Sequence, residues 1–313
     1  MTIAREIIAP VDRKLLIAEL TTERFLRSTN NGGNFIYSVN AHNSPHVLQE
    51  IGRLREITFR AAGGGTGLDC DLDHFDTDPA CYEQLIVWSP EDQEIMGGYR
   101  YIHCGKSTLG SDGHPDLATA EIFRFSEDFI HNYLPHTIEL GRSFVQPKYQ
   151  PRPENRKGLF TLDNLWDGLG AIHVDHPDVK WFFGKVTMYR HYNAEARDMI
   201  LSFMNHYFPD QENLVVPLYP LPITHDMTSF LNEIKNLDYK EGHRILNQRV
   251  RALGENIPPL VNAYMNLSPT MRNFGTSSNP HFGDVEETGI LVTLADIYLS
   301  KKERHISSYQ KGN

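Results

Sequence analysis

The chain has 313 residues, of which 40% are hydrophobic and 22% charged, the balance of a folded globular protein rather than a disordered one. Thirty Lys and Arg stand against 40 Asp and Glu, and this net charge of −10 argues against a general nucleic-acid binder. Three irregularly spaced cysteines argue against a disulfide framework and fit a reducing compartment. Without a signal-peptide core or a membrane-length apolar run, we expect a cytoplasmic protein that can still contact a membrane surface peripherally.

Apolar periodicity and turn residues predict alternating helices and strands, the pattern of an α/β protein. In chain order, the predicted elements are a helix over 11–27, a strand over 34–39, a helix from 45 to the glycines at 63–65, strands over 83–88, 94–104 and 138–147, a helix over 161–174, a strand over 179–189, a helix from 194 to about 207, helices around 226–236 and 240–253, and a strand over 288–297. Ser44 and Asn193 are the predicted caps of the helices that they precede. The polar segment after residue 297 is expected to be frayed.

The densest charge cluster is the run GLDCDLDHFD, with Asp69, Asp71, Asp73 and Asp76 inside eight positions. A calcium-binding EF-hand loop needs glycine at its sixth position and glutamate at its twelfth, and neither register that starts on Asp69 or Asp71 supplies them. A solvated acidic turn stays open for this run when it is considered alone.

Other charged residues interrupt apolar patterns elsewhere in the chain. Arg55 and Phe59 are four residues apart on a predicted helix and therefore share a face. Arg100 lies inside a predicted strand, and Glu139 and Arg142 interrupt the apolar strand IELGRSFV. A charge at such a position needs a partner or a function, and a structural ion-pair network explains any one of them taken singly.

Taken in order, Arg-x3-Phe, Asp-x-Asp-x2-Asp, a strand arginine and Glu-Leu-x-Arg form a series that resembles the acyl-homoserine-lactone synthases. It is similar also to their relatives, the ornithine-lipid and glycine-lipid N-acyltransferases that are often labelled hemolysins; both groups have the GNAT fold. The segments ELGRSFVQPKYQ, LWDGLGAI, IPPLVNAYMNL and HFGDVEETGILV resemble the lipid-forming branch over about residues 50–300. GGGTG stands where the lactone synthases carry a tryptophan, which also favours the lipid branch.

The resemblance implies an α/β fold of the GNAT-like mixed type, with a mostly antiparallel central sheet flanked by helices and a C-terminal helical and strand extension. We place the acyltransferase core with its N-terminal helix at residues 1–225 and the extension at 226–313, packed together as a single compact unit. The implied activity moves a long-chain fatty acyl group, with or without a 3-hydroxyl, to the α-amine of ornithine, glycine or a similar amino acid. This is the first step of aminolipid biosynthesis.

The resemblance also implies the partners of the reaction. The acyl donor would be acyl-carrier protein, or acyl-CoA, with the acyl-phosphopantetheine as co-substrate and no permanently bound cofactor or metal. The amino acid and the carrier protein are the expected partners, together with a membrane surface through the lipid product, and no nucleic acid.

Glu139 is the candidate general base, acting through a water molecule, or the group that orients the amine, and Arg142 is the second candidate catalytic residue; a structural ion pair stays open for Glu139. Strand alternation sends the two to opposite faces, so both can face one site only if a bulge intervenes, and Gly141 is a plausible place for it. Within the acidic run, Asp73 and Asp76 are the strongest candidates and Asp69 is the expected bystander. The candidate substrate-binding residues are Arg55, Phe59, Asp71, Asp73, Asp76 and Arg100.

Donor binding is expected along the same strand and in the loop after it. Backbone N–H groups near Phe144 and Val145 would hold the pantetheine arm. The loop PKYQPRPENRKG could dock the acidic face of a carrier protein, although a solvated loop is an equal alternative. Its candidate donor-binding residues are Lys148, Arg152, Arg156 and Lys157. The motif H-x-D-H at 173–176 lacks a third metal ligand at a recognised spacing.

Two further enzymes stay open as alternatives: a synthase of acyl-homoserine-lactone-like signals, and an acetyl-CoA-dependent N-acetyltransferase. A non-catalytic, membrane-active protein of the hemolysin type is the alternative from another class. The absence of a long amphipathic or spanning segment counts against pore formation.

Overall fold

The computed structural model describes residues 4–110, 113–151 and 158–311. The strands in these ranges are β1 (Phe25–Ser28), β2 (Phe35–Val39), β3 (Glu83–Ser89), β4 (Glu94–His103), β5 (Phe123–Phe125), β6 (Thr137–Val145), β7 (Trp181–Met188), β8 (Val215–Pro217), β9 (Arg272–Asn279) and β10 (Val285–Thr293). The helices are α1 (Arg13–Glu19), α2 (Pro45–Ala61), α3 (His74–Thr77), α4 (Gly158–Asp175), α5 (Ala194–Tyr207), α6 (Thr228–Ile234), α7 (Tyr239–Ala252), α8 (Pro259–Met265) and α9 (Leu299–His305). None of the helices in the described ranges has the length and apolar character needed to cross a bilayer.

The chain folds into two compact units, each built from segments that are distant in the sequence. Among the described residues, unit 1 contains 4–107, 136–180 and 299–311, and unit 2 contains 108–135 and 181–298. Both units combine antiparallel strands with packed helices, which confirms the predicted mixed α/β class. The division into a core of residues 1–225 and an extension of residues 226–313 stays a prediction.

Unit 1 contains an antiparallel sheet in the order β1–β2–β3–β4–β6. Helix α4 covers one face, and its Gly168 approaches Leu85 so closely that a Cβ there would lie 2.6 Å from the leucine side chain. Because successive strand residues point to opposite faces, Gln84 points to the other face. Arg55 of α2 donates a hydrogen bond to Gln84, so α2 packs on this second face.

Helix α2 begins where the sequence predicts, but a different residue caps it. Pro45 is its first residue, and Ser44 makes no side-chain cap hydrogen bond. The carboxylate of Glu19 accepts instead from the backbone N–H groups of His46 at 3.2 Å and Val47 at 2.9 Å. A carboxylate brought from α1 therefore satisfies donors at the helix N-terminus that the local sequence leaves open.

Unit 2 contains the antiparallel set β7–β10–β9 and the pair β5–β8. Phe129, Phe183 and Phe274 form an aromatic core, with ring centres 5.5–6.3 Å apart. Asn193 caps α5 as predicted, because its side chain accepts from two backbone N–H groups of the first turn at 3.0 and 3.1 Å. Strands β5, β8 and β9 were not predicted.

The predicted helix over residues 11–27 is wrong in its second half. Helix α1 ends at Glu19, and β1 pairs with β2 in an antiparallel register. The ring centre of Phe25 lies 5.7 Å from those of Phe35 and Tyr37. Cross-strand aromatic contacts and backbone pairing here outweigh a local helical periodicity.

The expected fraying after residue 297 is also wrong, since α9 packs on α4. His305 Nδ1 lies 2.8 Å from Asp167 Oδ1, and Arg304 pairs with Asp163 at 2.8 Å. Gly170 approaches the backbone of His305 so closely that a Cβ on the glycine would lie 2.2 Å from the carbonyl oxygen. These contacts hold the segment in place, and a polar composition does not reveal them.

We predict that Gly97→Ala destabilises unit 1 while Gly141→Ala does not. A Cβ at Gly97 would lie 2.5 Å from the Phe144 carbonyl oxygen, whereas at Gly141 the nearest atom is Arg100 Nε at 3.9 Å. Because the clash is with the backbone of β6 rather than with a flexible side chain, Gly97→Ala should lower the free energy of unfolding by about 1–3 kcal/mol. Urea unfolding of both variants checks this, and equal midpoints would contradict the close approach.

Candidate active site

Helix α2 carries Arg55 into the interior of unit 1, where its side chain is fully buried. Arg55 Nη1 donates to both carboxylate oxygens of Asp76 at 3.1 Å, and Nη2 donates to Gln84 Oε1. Phe59, one helical turn later, is buried on the same side of α2. A buried guanidinium is stable only with matched acceptors, so Asp76 and Gln84 make this position of Arg55 possible.

Asp76 is the residue on which most of these contacts converge. Besides Arg55, its oxygens accept from Gln84 Nε2 at 3.0 Å, from Arg100 Nη1 at 3.2 Å and from the backbone N–H of Asp73 at 3.2 Å. Burial acts to raise the pKa of Asp76, but the charges of Arg55 and Arg100 and the hydrogen bonds hold it well below its usual range. Asp76 is therefore a fully buried, ionised carboxylate.

Strand β4 brings Arg100 to the same carboxylates. Its Nη1 donates to Asp73 Oδ1 at 2.7 Å, and the guanidinium carbon lies 5.1 Å from the ring centre of Tyr82 and 5.5 Å from that of Phe75. Burial acts to lower the pKa of Arg100, but the charges of Asp76 and Asp73 raise it above its usual value. Arg100 therefore stays a cation beside two carboxylates and two aromatic rings.

Strand β6 contains the predicted bulge, one residue after the glycine expected to host it. The register with β4 shifts between Gly98 and Arg100, so that Arg142 and Ser143 together oppose Tyr99. Arg142 has a φ of +47°, a left-handed conformation that costs a non-glycine residue about 1–3 kcal/mol. Bulges re-aim side chains next to functional sites, and strained backbone persists only where the surroundings demand it.

The bulge turns Arg142 toward the acidic run. Arg142 Nε lies 3.1 Å from Asp71 Oδ2, and its Nη2 lies 3.5 Å from Asp73 Oδ2. We call the set Arg55, Asp71, Asp73, Asp76, Arg100 and Arg142 the aspartate–arginine cluster. Only Asp73 and Arg142 of this cluster keep more than a tenth of the side chain exposed, 28% and 14%.

Asp71 differs from Asp76 although both are buried. Neither carboxylate oxygen of Asp71 accepts a hydrogen bond from the part of the chain that the structure describes. Burial raises the pKa of Asp71, and the opposing charge of Arg142 at 3.1 Å does not outweigh it. Asp69 lies apart from the cluster, half exposed and 4.0 Å from Arg5.

Glu139 lies on β6, almost fully buried, and joins the cluster through an aromatic residue. Tyr82 donates its hydroxyl to Glu139 Oε2 at 3.0 Å, while its ring lies against Arg100. Burial and the charge of Glu139 raise the pKa of the Cys104 thiol well above its usual value. The carboxylate of Glu139 therefore contacts the hydroxyl of Tyr82, and the ring of Tyr82 contacts the guanidinium of Arg100.

Tyr82 and Gln84 are members of this site that the sequence patterns do not single out. Gln84 lies opposite Arg100 in the β3–β4 register, so strand alternation alone would place it on the cluster's face once the register is known. Tyr82 stands one residue before β3, where a pattern of alternating residues has not begun. Gln84 could therefore have been assigned to the site if the pairing of β3 with β4 had been known.

The candidate donor-binding residues do not join this cluster as a set. Phe144 and Val145 follow the bulge on β6 and lie opposite Gly98 and Gly97. Lys148 pairs with Glu94 at 2.7 Å and is largely exposed. Arg152, Arg156 and Lys157 lie outside the described residues.

Among the described residues, one group has ligand atoms close enough for a metal ion: His103, His176 and Asp178. His103 Nδ1 accepts from the backbone N–H of Gly105 at 3.2 Å, and its Nε2 lies 2.8 Å from Asp178 Oδ2. The imidazole proton therefore belongs on Nε2, the atom that would have to bind the metal. A metal there would force a proton onto Nδ1, against the N–H of Gly105, so the geometry suits a hydrogen bond better.

Comparison with known proteins agrees with the fold. Residues 54–156 match the family described as an acetyltransferase (GNAT) domain. A protein of Phocaeicola vulgatus named glycine N(alpha)-acyltransferase is 54% identical over 98% of this chain and 94% of its own length. A protein of Bacteroides thetaiotaomicron with the same name is 55% identical over 97% of this chain and 90% of its own length.

Two solved structures are similar at low sequence identity. The acyl-homoserine-lactone synthase LasI is 12% identical, with a TM-score of 0.35 over 50% of this chain and 74% of its own. The CoA-dependent acyl-homoserine lactone synthase BjaI, solved with SAM and isopentyl-CoA, is 14% identical, with a TM-score of 0.37 over 87% of each chain.

We predict that Asp76→Asn and Asp71→Asn have opposite effects on stability at pH 7. Asp76→Asn leaves two buried arginines beside a neutral group and should lower the free energy of unfolding by about 3–5 kcal/mol. Asp71→Asn removes a charge that burial disfavours, so stability should stay unchanged or rise. Urea unfolding of both variants checks this, and a larger loss for Asp71→Asn would contradict it.

The pH dependence should separate the two carboxylates as well. The pKa of Asp76 is lowered by folding, so its stabilisation is present above the usual carboxyl range and is lost as pH falls through the folded value. The pKa of Asp71 is raised by folding, so any advantage of Asp71→Asn is largest at neutral pH and shrinks toward about pH 4.

Proposed function

This chain belongs to the glycine N(alpha)-acyltransferase family, and we propose that it transfers a long-chain fatty acyl group from acyl-carrier protein to the α-amine of glycine. Family membership and the GNAT domain make the chain an acyltransferase rather than a non-catalytic, membrane-active protein. The observation that carries glycine as acceptor is the 54% and 55% identity, over nearly the whole chain, to relatives named for it. The product would be an N-acylglycine, the start of an aminolipid.

The aspartate–arginine cluster would receive the acceptor. Arg55 and Arg100 are buried and committed to internal carboxylates, whereas Arg142 retains an exposed edge. Arg142 therefore suits the α-carboxylate of glycine, since guanidinium binds carboxylates through paired hydrogen bonds. Asp73, with 28% of its side chain exposed, suits the ammonium group.

Glu139 would serve as the general base in this proposal. The acceptor ammonium loses a proton toward Glu139, directly or through a water molecule, and the free amine attacks the thioester carbonyl. A C–N bond forms, the C–S bond breaks, and the phosphopantetheine thiolate leaves and takes up a proton. Backbone N–H groups near Phe144 and Val145, after the bulge on β6, are the candidate donors to the developing oxyanion.

The donor assignment rests on charge. Lys148, Arg152, Arg156 and Lys157 stand against one acid, Glu154, in a chain of net charge −10. Such a basic segment would attract the acidic surface of a carrier protein and raise the rate of encounter. Acyl-CoA is the alternative acyl donor, and the rates of transfer from acyl-carrier protein and from acyl-CoA can be compared directly.

We predict that Glu139→Gln slows acyl transfer to glycine by about 100-fold or more, because general-base catalysis typically contributes a factor of that size. Thiol release and N-acylglycine formation are measured with wild type and variant. Glu83→Gln is the matched control, since Glu83 lies on β3 and its carboxylate accepts from Asn40 at 3.0 Å, away from the cluster. Wild-type turnover in Glu139→Gln would remove Glu139 from the mechanism.

We predict that Arg152→Glu combined with Arg156→Glu raises the KM for acyl-carrier protein by about 10-fold at low salt, with the difference shrinking at high salt. The KM for an acyl-pantetheine thioester without the protein should not change. Lys240→Glu with Arg244→Glu, on the exposed side of α7, makes the same change in net charge elsewhere. Equal effects of the two double variants would contradict carrier docking at this loop.

A further inference from the structure

Tyr82 occupies a fixed position between the candidate base and the aspartate–arginine cluster. Its side chain is 1% exposed, its backbone N–H donates to Phe75 O at 2.7 Å, and its hydroxyl donates to Glu139 Oε2 at 3.0 Å. We propose that Tyr82 is a positioning residue for acyl transfer, whose hydroxyl orients the carboxylate of Glu139 that would take up the proton. This inference rests on the proposed function of Glu139 as the base.

The contacts of the ring determine where the hydroxyl points. The guanidinium of Arg100 lies 5.1 Å from the Tyr82 ring centre, and the ring of Phe75 meets it edge-on at 5.5 Å and 71°. A side chain that is held on several sides presents its polar end with little conformational freedom. The phenol is therefore organised before any substrate binds.

The Tyr82 hydroxyl matters because it donates a hydrogen bond to a buried acidic side chain, that of Glu139. Glu139 is 1% exposed, and an ionised carboxylate at that depth needs donors in place of water. A hydrogen bond donated to the charged form favours that form. Titratable groups near this pair, among the described residues, include Cys104, whose thiol pKa is raised by burial and by the charge of Glu139, and Arg100, whose guanidinium lies against the phenol ring.

Tyr82 also links the base to the proposed acceptor site. Arg100, which lies against the tyrosine ring, donates to Asp73 at 2.7 Å, and Asp73 is the exposed carboxylate of the cluster. One side chain thus contacts both the carboxylate that would take the proton and the cation that orients the ammonium-binding group. Tyr82→Phe removes the hydrogen bond to Glu139 but keeps the ring against Arg100. The variant therefore tests the first contact without disturbing the second.

Tyr101 offers a matched control for the loss of a buried hydroxyl. It lies on the neighbouring strand β4, is 7% exposed, and shares a hydrogen bond of 2.8 Å with Ser38. Strand alternation points it away from Arg100, to the face that α4 covers. Tyr101→Phe therefore removes a comparable hydrogen bond without touching the site.

The experiment measures N-acylglycine formation by the full chain as a function of pH for wild type, Tyr82→Phe and Tyr101→Phe. Tyr82→Phe should lower kcat about 10-fold, the effect of one lost hydrogen bond to a charged group, with the KM for glycine nearly unchanged. Its acidic limb should move to higher pH, because a carboxylate that loses a donor holds its proton more tightly. Tyr101→Phe should match wild type.

A double-mutant cycle with Glu139→Gln completes the test. If Tyr82 acts through Glu139, adding Tyr82→Phe to Glu139→Gln should not lower the rate of N-acylglycine formation any further. The residual rates are measured by mass spectrometry. Additive losses, an unmoved acidic limb, or equal losses in Tyr82→Phe and Tyr101→Phe would overturn the inference alone. Wild type that makes no N-acylglycine would overturn the proposed function, and this inference with it.

Discussion

Asp76 neutralises two buried guanidinium groups, those of Arg55 and Arg100, and the geometry of unit 1 depends on this contact. Without it, Arg55 of α2 would keep only the neutral Gln84 as a side-chain acceptor, and Arg100 of β4 would keep only the partly exposed Asp73, at a cost of several kcal/mol. Asp76 also accepts the backbone N–H of Asp73, which closes the first turn of α3. One carboxylate therefore joins a helix, a strand and the acidic run.

The bulge in β6 is the second constraint. A regular strand would place Arg142 and Glu139 on opposite faces, whereas one extra residue brings Arg142 over to the aspartates. The strain at Arg142 is held by the pairing of β6 with β4 on both sides of the bulge. The proposed acceptor chemistry uses this arrangement, in which the two most accessible groups of the cluster, Arg142 and Asp73, lie 3.5 Å apart and the buried Arg55 is paired with Asp76.

Much of this site could be predicted because charges in apolar patterns must have partners. Arg55, Arg100, Glu139 and Arg142 were identified in this way, and a strict alternation argument led to the bulge. The difference between Asp71 and Asp76 could not be predicted, because it depends on which donors surround two equally buried carboxylates. Tyr82 was missed because its role depends on tertiary contacts rather than on spacing.

The fold was predictable to a similar extent and for similar reasons. Strands with strong apolar patterns, such as β3, β4 and β7, were identified, while β9, whose sequence RNFGTSSN is mostly polar, was not. The helical periodicity of residues 11–27 concealed β1, which aromatic contacts with β2 stabilise. The C-terminal segment is ordered by partners on α4 that are more than a hundred residues away.

The most direct test of the central claim is a competition between acceptors. The purified full chain is incubated with a long-chain acyl-carrier protein and an equimolar mixture of glycine, ornithine and other amino acids, and the amides are measured by mass spectrometry. N-acylglycine should dominate the products. A preference for another amino acid would contradict the assignment of the acceptor, and the absence of any amide would contradict the assignment of the reaction.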